Sequence, residues 1–225
     1  MTRKPKALIA AALTLALLGG SSLAAESIIA SRIESRIKSE LPKATGISAS
    51  ISLFEMVQSL FSDSIKSANI TIDSYALKGN TTETSIEIAA KSISKSKPTL
   101  VGSLEVISTI PAATILQSAE FGDAEILDNT LQVSAGPGGL GRAILVPKFS
   151  DNQIYFEIKG ISLFGNEIPA SSLPADAQSQ IKEKSLRQPT IPKGMKLKSV
   201  SLTPKGLSVT LRGTNVQLGN LGSAF

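Results

Sequence analysis

The sequence predicts an α+β fold in which one long amphipathic helix faces a twisted antiparallel sheet of about seven or eight strands. Three observations lead to this prediction. A segment near the amino terminus repeats isoleucine every fourth residue, many later segments alternate apolar and polar residues, and the last two alternating segments flank a Pro-Lys-Gly turn. Alternation with a period of two is typical of strands that have one buried face.

The helical pattern begins at about residue 26 and stops before Pro42, which cannot continue a helix. Its apolar positions form one stripe, at Ile29, Ile33, Ile37 and Leu41. A second, shorter helical pattern spans residues 54–61, with apolar side chains at Phe54, Val57, Leu60 and Phe61. Each of these stripes needs a partner surface against which it can be buried.

Strand patterns follow along the rest of the chain. Apolar residues alternate with polar ones around residues 68–73, 85–88, 104–107, 131–133, 144–146 and 154–158. Short helical patterns interrupt them at 112–119 and 175–186, and a turn at 163–165 followed by Pro169 interrupts the sheet. The clearest hairpin joins residues 200–202 to residues 207–211, because Pro204 and Gly206 suit a type I turn.

The first 24 residues predict an export signal. A basic start with Arg3, Lys4 and Lys6 precedes an apolar core at 7–18, and Ser22-Leu23-Ala24 fits a cleavage site. The core is shorter than the roughly 20 residues that span a bilayer as a helix, which favours cleavage over the alternative of an uncleaved membrane anchor. We therefore expect residues 25–225 to form a single domain in the periplasm or cell envelope.

Composition excludes several kinds of chemistry. The chain contains no His and no Cys, so it lacks disulfides, thiol nucleophiles, histidine relays and the usual zinc ligands. Its formal net charge of +5 falls to about +2 without the three basic residues of the leader, which argues against nucleic-acid binding. We expect no enzymatic activity, no metal and no cofactor.

Two motifs match catalytic or cofactor signatures only formally. The spacing Ser-x-x-Lys occurs three times without the partner elements of a serine-lysine enzyme, at Ser35/Lys38, Ser94/Lys97 and Ser179/Lys182. Residues 136–141 satisfy G-x-G-x-x-G, but the strand pattern R-A-I-L-V follows where a dinucleotide site needs a helix. The glycine-rich segment is therefore interpreted as a flexible hairpin loop.

The order of segments carries a resemblance to a known family. The helix S-R-I-E-S-R-I-K is followed by the apolar stretch 53–61, by S-I-K-S-A-N-I-T-I-D, and by I-S-T-I-P-A-A-T-I-L at 107–116. The glycine loop, G-I-S-L-F-G-N-E-I-P-A-S-S-L at 160–173 and P-K-G-M-K-L-K-S-V-S-L-T-P-K-G-L-S-V-T-L-R-G at 192–213 then follow. From about residue 31 to residue 218 this order resembles the LmeA-type phospholipid-binding proteins of actinobacteria and cyanobacteria.

The resemblance implies a tubular lipid-binding architecture, in which a highly curved sheet wraps a long helix and leaves an apolar groove for acyl chains. It also implies a non-enzymatic lipid-binding or lipid-carrying role in the bacterial cell envelope, with phospholipid and a membrane surface as partners. The chain departs from the family pattern in its richness in Ser, Ile and Lys.

We expect the groove to lie between helix and sheet. Lys66 and Arg142 are the candidates for contact with the phospholipid headgroup. Two alternatives remain open: the apolar residues form an ordinary core, or the protein is an envelope interaction module that binds a protein partner without lipid. The expected lining residues are Ile33, Ile37, Phe54, Val57, Leu60, Phe61, Ile70, Ile72, Ile86, Ile88, Leu104, Val106, Phe156 and Ile158.

Overall fold

A computed structural model of the chain describes residues 31, 34, 35, 37–39, 44–50, 63–76, 83–94, 96, 98–118, 123–135, 139–189 and 191–218. Within these ranges the backbone forms two antiparallel sheets. The strands are β1 (Thr45–Ser50), β2 (Ser64–Ala76), β3 (Glu83–Ser94), β4 (Leu100–Pro111), β5 (Ala124–Leu127), β6 (Thr130–Ala135), β7 (Gly141–Ser150), β8 (Gln153–Leu163), β9 (Asn166–Pro169), β10 (Met195–Thr203) and β11 (Gly206–Gln217). One sheet has the strand order β1-β2-β3-β4-β11-β10 and the other has the order β5-β6-β7-β8-β9.

The predicted α+β fold, with a sheet wrapped around a long helix, is wrong. In the described part of the chain, helical backbone is confined to positions 31, 34, 35 and 37–39, to α1 (Ala112–Ser118), to α2 (Ala175–Ser185) and to 3-10 positions at 139, 170–172 and 218. The physical reason is the length of the strands. β2, β3 and β4 have 13, 12 and 12 residues, well beyond the alternating segments visible in the sequence, and they satisfy their backbone hydrogen bonds by pairing with one another.

Several individual elements are confirmed. Strands cover all six segments that alternate in the sequence, and α1 and α2 occupy the two short helical patterns in the middle of the chain. The strand after the glycine loop begins at Gly141, and the last hairpin turns at residues 204 and 205. The remainder of the expected helix at 26–41, the pattern at 54–61 and the leader lie outside the described residues.

The chain divides into two compact units. Unit 1 comprises Met1–Ser108, Thr190–Lys198 and Thr210–Phe225, and unit 2 comprises Thr109–Pro189 and Ser199–Val209. The divisions between them fall inside β4, β10 and β11.

The core of unit 1 is built on the pairing of β2 with β3. Their antiparallel register places isoleucine opposite isoleucine in two successive rows, Ile70 with Ile88 and Ile72 with Ile86. Such cross-strand pairs of β-branched side chains are a main source of sheet stability. The other buried apolar residues of unit 1 are Ile37, Ala44, Ala49, Ala68, Ala90, Ile93, Val101, Leu104, Val106, Met195, Leu197, Leu211, Val216 and Leu218.

The core of unit 2 lies against β6, β7 and β8. Both helices contribute to it, α1 through Ile115 and Leu116 and α2 through Ile181. The end of α2 is also joined to β8, because the backbone N–H of Phe156 donates to Ser185 Oγ at 2.8 Å. The buried centre of this cluster is Leu131, Val133, Ala143, Leu145, Ile158, Leu202 and Leu207.

Gly206 stands where two backbone segments of unit 2 approach each other closely. Its φ is +140°, and an added Cβ would overlap the carbonyl oxygen of Ile110. At the same point the N–H of Ala112 donates a hydrogen bond to the carbonyl oxygen of Lys205, at 3.0 Å. No residue with a side chain fits this position without movement of the backbone.

We expect Gly206→Ala to lower the free energy of unfolding by about 3 kcal/mol or more, because it combines overpacking with a backbone conformation that only glycine adopts readily. Gly165→Ala is the matched control. Gly165 also has a positive φ, +83°, but has no atom within 4 Å of an added Cβ, so its replacement costs about 1 kcal/mol. Urea denaturation of the two variants measures the difference, and equal losses would contradict this account of Gly206.

Candidate functional site

The candidate site is one face of the β2–β3 pair in unit 1, which we call the aliphatic face. Its side chains are 1 to 2 % exposed, whereas Asn69, Thr71 and Glu87, between them in sequence, are exposed on the opposite side. Strict alternation of this kind places one set of side chains in an apolar interior and the other in water. The aliphatic face consists of Ala68, Ile70, Ile72, Ile86, Ile88 and Ala90.

Neighbouring elements extend this apolar surface. On one side, β1 pairs with β2 so that Ala49 stands opposite Ile70. On the other side, β4 is the next strand after β3, and its buried positions include Leu104 and Val106. The structure therefore brings together the six groove residues that the sequence predicted on β2, β3 and β4.

The helical residues described between positions 31 and 39 contact the same sheet. Glu34 Oε1 accepts a hydrogen bond from the backbone N–H of Ala49 at 3.2 Å, and Ile37 is completely buried. Within the described residues β1 is an edge strand, so this bond occupies an N–H for which no described strand provides an acceptor. The other expected lining residues of the amino-terminal region, Ile33, Phe54, Val57, Leu60 and Phe61, lie outside the described residues.

The aliphatic face changes character along β2. The isoleucine rows are followed by a cross-strand pair of small residues, Ala68 opposite Ala90. Lys66 is two residues before Ala68, so it shares this face and is exposed. The register of the flanking pairs places Ser92, which is also exposed, across from Lys66. The face thus runs from bulky aliphatic side chains, through a shallow alanine pair, to an exposed cation.

The opposite end of the face is polar but uncharged. Thr84 is on the same side of β3 and is 6 % exposed, and its Oγ1 has no hydrogen-bond partner among the described residues. Its cross-strand neighbour is Tyr75. Burial raises the pKa of the Tyr75 phenol above its ordinary value of 10.0, so this side chain stays neutral at neutral pH.

Two predicted groove residues belong to unit 2 instead. Ile158 is part of the buried cluster around β6, β7 and β8, and Phe156 packs against that cluster. Alternation in the sequence correctly indicates that both side chains point toward an apolar interior. It carries no information about which of the two units supplies that interior.

The second headgroup candidate, Arg142, is also in unit 2 and is held by acidic groups. Its guanidinium Nη2 lies 3.0 Å from Asp123 Oδ2 and 3.9 Å from Glu125 Oε1. It donates as well to the carbonyl oxygen of Asp123. The two carboxylates offset the arginine charge, so a phosphate would have to compete with them.

The serine-lysine motifs show other contacts in the described part of the chain. Ser94 Oγ lies 2.6 Å from Ser96 Oγ, and Lys182 Nζ stands 4.6 Å from the centre of the Tyr155 ring. A lysine over an aromatic ring is a favourable surface arrangement that needs no catalytic role. Among the described residues, no group of three or more Asp or Glu side chains is arranged to hold a metal ion.

Sequence reasoning missed two parts of the site. It recognised the alternation on β3 only at residues 85–88, although continuing that alternation by one step would have identified Ala90. The contact between Glu34 and β1 had no signal in the sequence, because the strand Thr45–Ser50 alternates too weakly to be predicted and the bond joins distant residues.

Comparison of the chain with protein-family models, with curated proteins and with solved structures finds no match. The resemblance to the LmeA-type proteins therefore stays a prediction. In the described part of the chain, no helix is both long enough and apolar enough to cross a bilayer. The interpretation of the site rests on its geometry and on the chemistry of its side chains.

Thr84→Val tests whether the buried hydroxyl is a liability for the fold. We expect the substitution to raise the free energy of unfolding by about 1 kcal/mol, because it removes an unpartnered polar group and keeps the shape of the side chain. Thr130→Val is the matched control. Thr130 is buried to a similar degree, but its Oγ1 donates to the Leu127 carbonyl at 2.7 Å.

Thr130→Val should therefore lower the free energy of unfolding by about 1 kcal/mol. Denaturant titration of both variants provides the comparison. A loss of stability in Thr84→Val as large as that in Thr130→Val would show that the hydroxyl of Thr84 has a partner in solution.

Proposed function

We propose that the protein is a non-enzymatic phospholipid-binding or lipid-carrier protein of the bacterial cell envelope. In this proposal the aliphatic face of unit 1 holds an acyl chain, and Lys66 at its end meets the phosphate of the headgroup. The observation that carries the proposal is the order of side chains along one face of β2, in which Ile72, Ile70, Ala68 and Lys66 follow one another.

The chemistry of this face suits an acyl chain. Its side chains are all aliphatic, and they offer dispersion contacts without polar groups that would have to be desolvated. The small side chains of Ala68 and Ala90 project less from the sheet than the isoleucines on one side and Lys66 on the other. A chain of methylenes can lie across the strands at this pair. A reacting substrate would require positioned polar or titratable groups, which this face lacks.

The free energy of burying the acyl chain is large enough to support binding of a phospholipid. Each methylene removed from water contributes about 0.8 kcal/mol, so about ten methylenes contribute about 8 kcal/mol. That free energy corresponds to a dissociation constant of about 1 µM before the cost of association is subtracted. Lys66 adds little by comparison, because an exposed ion pair contributes about 0 to 1 kcal/mol.

Entry of a lipid requires the aliphatic face to be uncovered. Its six side chains are almost completely buried in the structure, so an acyl chain has to replace existing packing contacts instead of filling an open groove. Exchange of one apolar contact for another makes the net free energy of loading smaller than the transfer term alone. Loading and release would then be controlled by local opening of unit 1, which suits a carrier that must give up its cargo.

The proposed location follows from the leader. A basic start, an apolar core shorter than a membrane span and a cleavage site at residues 22–24 direct export in bacteria. A chain without cysteine gains no disulfides outside the cytoplasm, so its stability there depends on aliphatic burial in the two units.

The alternative of a protein-binding module draws less support from the sheet edges. A partner that adds a strand needs unpaired backbone N–H groups. At β1 the Ala49 N–H already donates to Glu34, and β9 ends with Pro169, which has no N–H. These features protect the edges at β1 and β9 against strand addition, so a partner that adds a strand would have to use the other two edge strands, β5 and β10.

Ala90→Leu tests the proposed cargo face. We expect it to weaken binding of a fluorescently labelled phosphatidylglycerol about tenfold or more, because the larger side chain occupies the position beside Ala68 where the acyl chain would lie. Ala89→Leu is the matched control, since Ala89 is on the opposite side of the same strand and is only half-buried. Its affinity should remain within about twofold of the parent protein.

Ala68→Val serves as a milder second variant if Ala90→Leu folds poorly, and circular dichroism of each variant reports on folding. Folded Ala90→Leu and Ala68→Val proteins that bind the labelled lipid as tightly as the parent would overturn the assignment of the aliphatic face. Absence of binding by the parent itself would favour the protein-partner alternative.

A further inference from the structure

Three two-residue turns connect neighbouring strands of the five-stranded sheet, and one of them has an unusual sequence. In all three, both central residues have a positive φ, the geometry that suits hairpins and favours Asn, Asp and Gly. Two of the turns follow this preference, with Asp128-Asn129 and Asp151-Asn152. The third, between β8 and β9, has Phe164-Gly165, with φ +52° at the phenylalanine.

The position of Phe164 is unfavourable by two independent criteria. A bulky residue with a positive φ is strained. The other two turns show that this sheet accommodates Asp at the first central position of such a turn. The side chain is also 83 % exposed, so it contributes almost nothing to the core of unit 2. Neither the turn nor the packing explains an aromatic residue here.

A second exposed apolar side chain lies at the same end of the sheet as Phe164. Gly141 pairs with Leu163 across β7 and β8, so Leu140, which precedes Gly141, and Phe164, which follows Leu163, extend from adjacent chain segments. Leu140 is 63 % exposed. We call Leu140 and Phe164 the apolar tip of unit 2.

The charged groups behind the tip are already paired. Arg142 is held by Asp123 at 3.0 Å, and Lys159 Nζ lies 3.7 Å from Glu167 Oε1. The end of the sheet therefore presents two bare hydrocarbon side chains, with compensated charges set back from them. This arrangement matches the boundary between the apolar and polar zones of a bilayer surface.

The small size of the apolar tip favours a bilayer surface over a protein as its binding partner. One aromatic side chain buries at most about 250 Å², whereas a stable protein interface takes about 800 Å² from each partner. Two side chains at one end of the sheet fall short of what a second copy or a protein partner needs. A bilayer requires no complementary surface, so insertion of two side chains is enough for weak, reversible docking.

We propose that Phe164 and Leu140 form a membrane-docking tip that inserts reversibly into the surface of a lipid bilayer. This inference goes beyond the proposed lipid carriage, because it concerns unit 2 and can hold whether or not the aliphatic face of unit 1 binds an acyl chain. Docking is driven by the apolar side chains and is therefore insensitive to the charge of the lipid headgroup and to salt.

The chain contains no tryptophan, so a single introduced indole reports on one position. Phe164→Trp in the full chain is mixed with phosphatidylcholine vesicles, with and without a spin-labelled phosphatidylcholine that quenches fluorescence inside the bilayer. We expect its emission to shift to shorter wavelength and to be quenched. Phe149→Trp, near the opposite end of the same sheet and also exposed, is the matched control and should show neither effect.

Leu140→Asn in the Phe164→Trp background tests the second half of the tip. It should raise the lipid concentration at half-maximal quenching about tenfold, since one inserted aliphatic side chain is lost. Leu127→Asn, at the other end of the sheet, should leave that concentration unchanged. Addition of anionic lipid or salt should have little effect on either variant.

An emission of Phe164→Trp that stays at the wavelength of a water-exposed indole, in zwitterionic and anionic vesicles alike, would overturn the proposal. Equal quenching of Phe149→Trp would also overturn it, because the contact would then be general adsorption. A blue shift that depends on protein concentration without vesicles would assign the tip to a second copy of the chain. None of these outcomes bears on lipid loading of unit 1, which is measured by the labelled-lipid titration.

Discussion

The register of β2 against β3 is the constraint on which the candidate site depends. Pairing Ile70 with Ile88 and Ile72 with Ile86 places these four isoleucines on one side of the two strands. A slip of one residue would turn Asn69 and Thr71 inward and expose the isoleucines. The same register sets Ala68 opposite Ala90 and brings Lys66 to the end of the face. With no disulfide available, burial of this apolar contact and the backbone hydrogen bonds between the paired strands maintain the sheet.

The sequence predicts local elements of this protein better than their assembly. Alternating segments identified most strands because one face of each is buried, and the Pro-Gly pattern identified the last hairpin. The fold class failed because periodicity reports which face of a segment is apolar and says little about how far a strand extends or what it pairs with. The short strands β5 and β9, with four residues each, carry too few alternations to be recognised.

The residues of the candidate site could likewise be predicted locally but not in their assembly. Ile70, Ile72, Ile86 and Ile88 could be assigned to one apolar surface from the sequence, whereas Phe156 and Ile158 could not be separated from them because a period of two does not distinguish between units. Thr84, whose buried hydroxyl has no hydrogen-bond partner in the part of the chain that the structure describes, and Phe164, strained and exposed in its turn, follow no pattern of the fold. Departures of this kind are more informative about function than the regular positions are.

The central claim is that the aliphatic face of unit 1 accepts an acyl chain, and native mass spectrometry with lipid extraction tests it most directly. The protein is isolated from an envelope fraction without detergent, so that any natural cargo is retained. The account predicts a co-purifying phospholipid at a ratio near one per chain, whose extraction also identifies its headgroup. A mass without lipid that stays unchanged after incubation with anionic and zwitterionic vesicles would contradict the account and identify the isoleucine rows as a closed core.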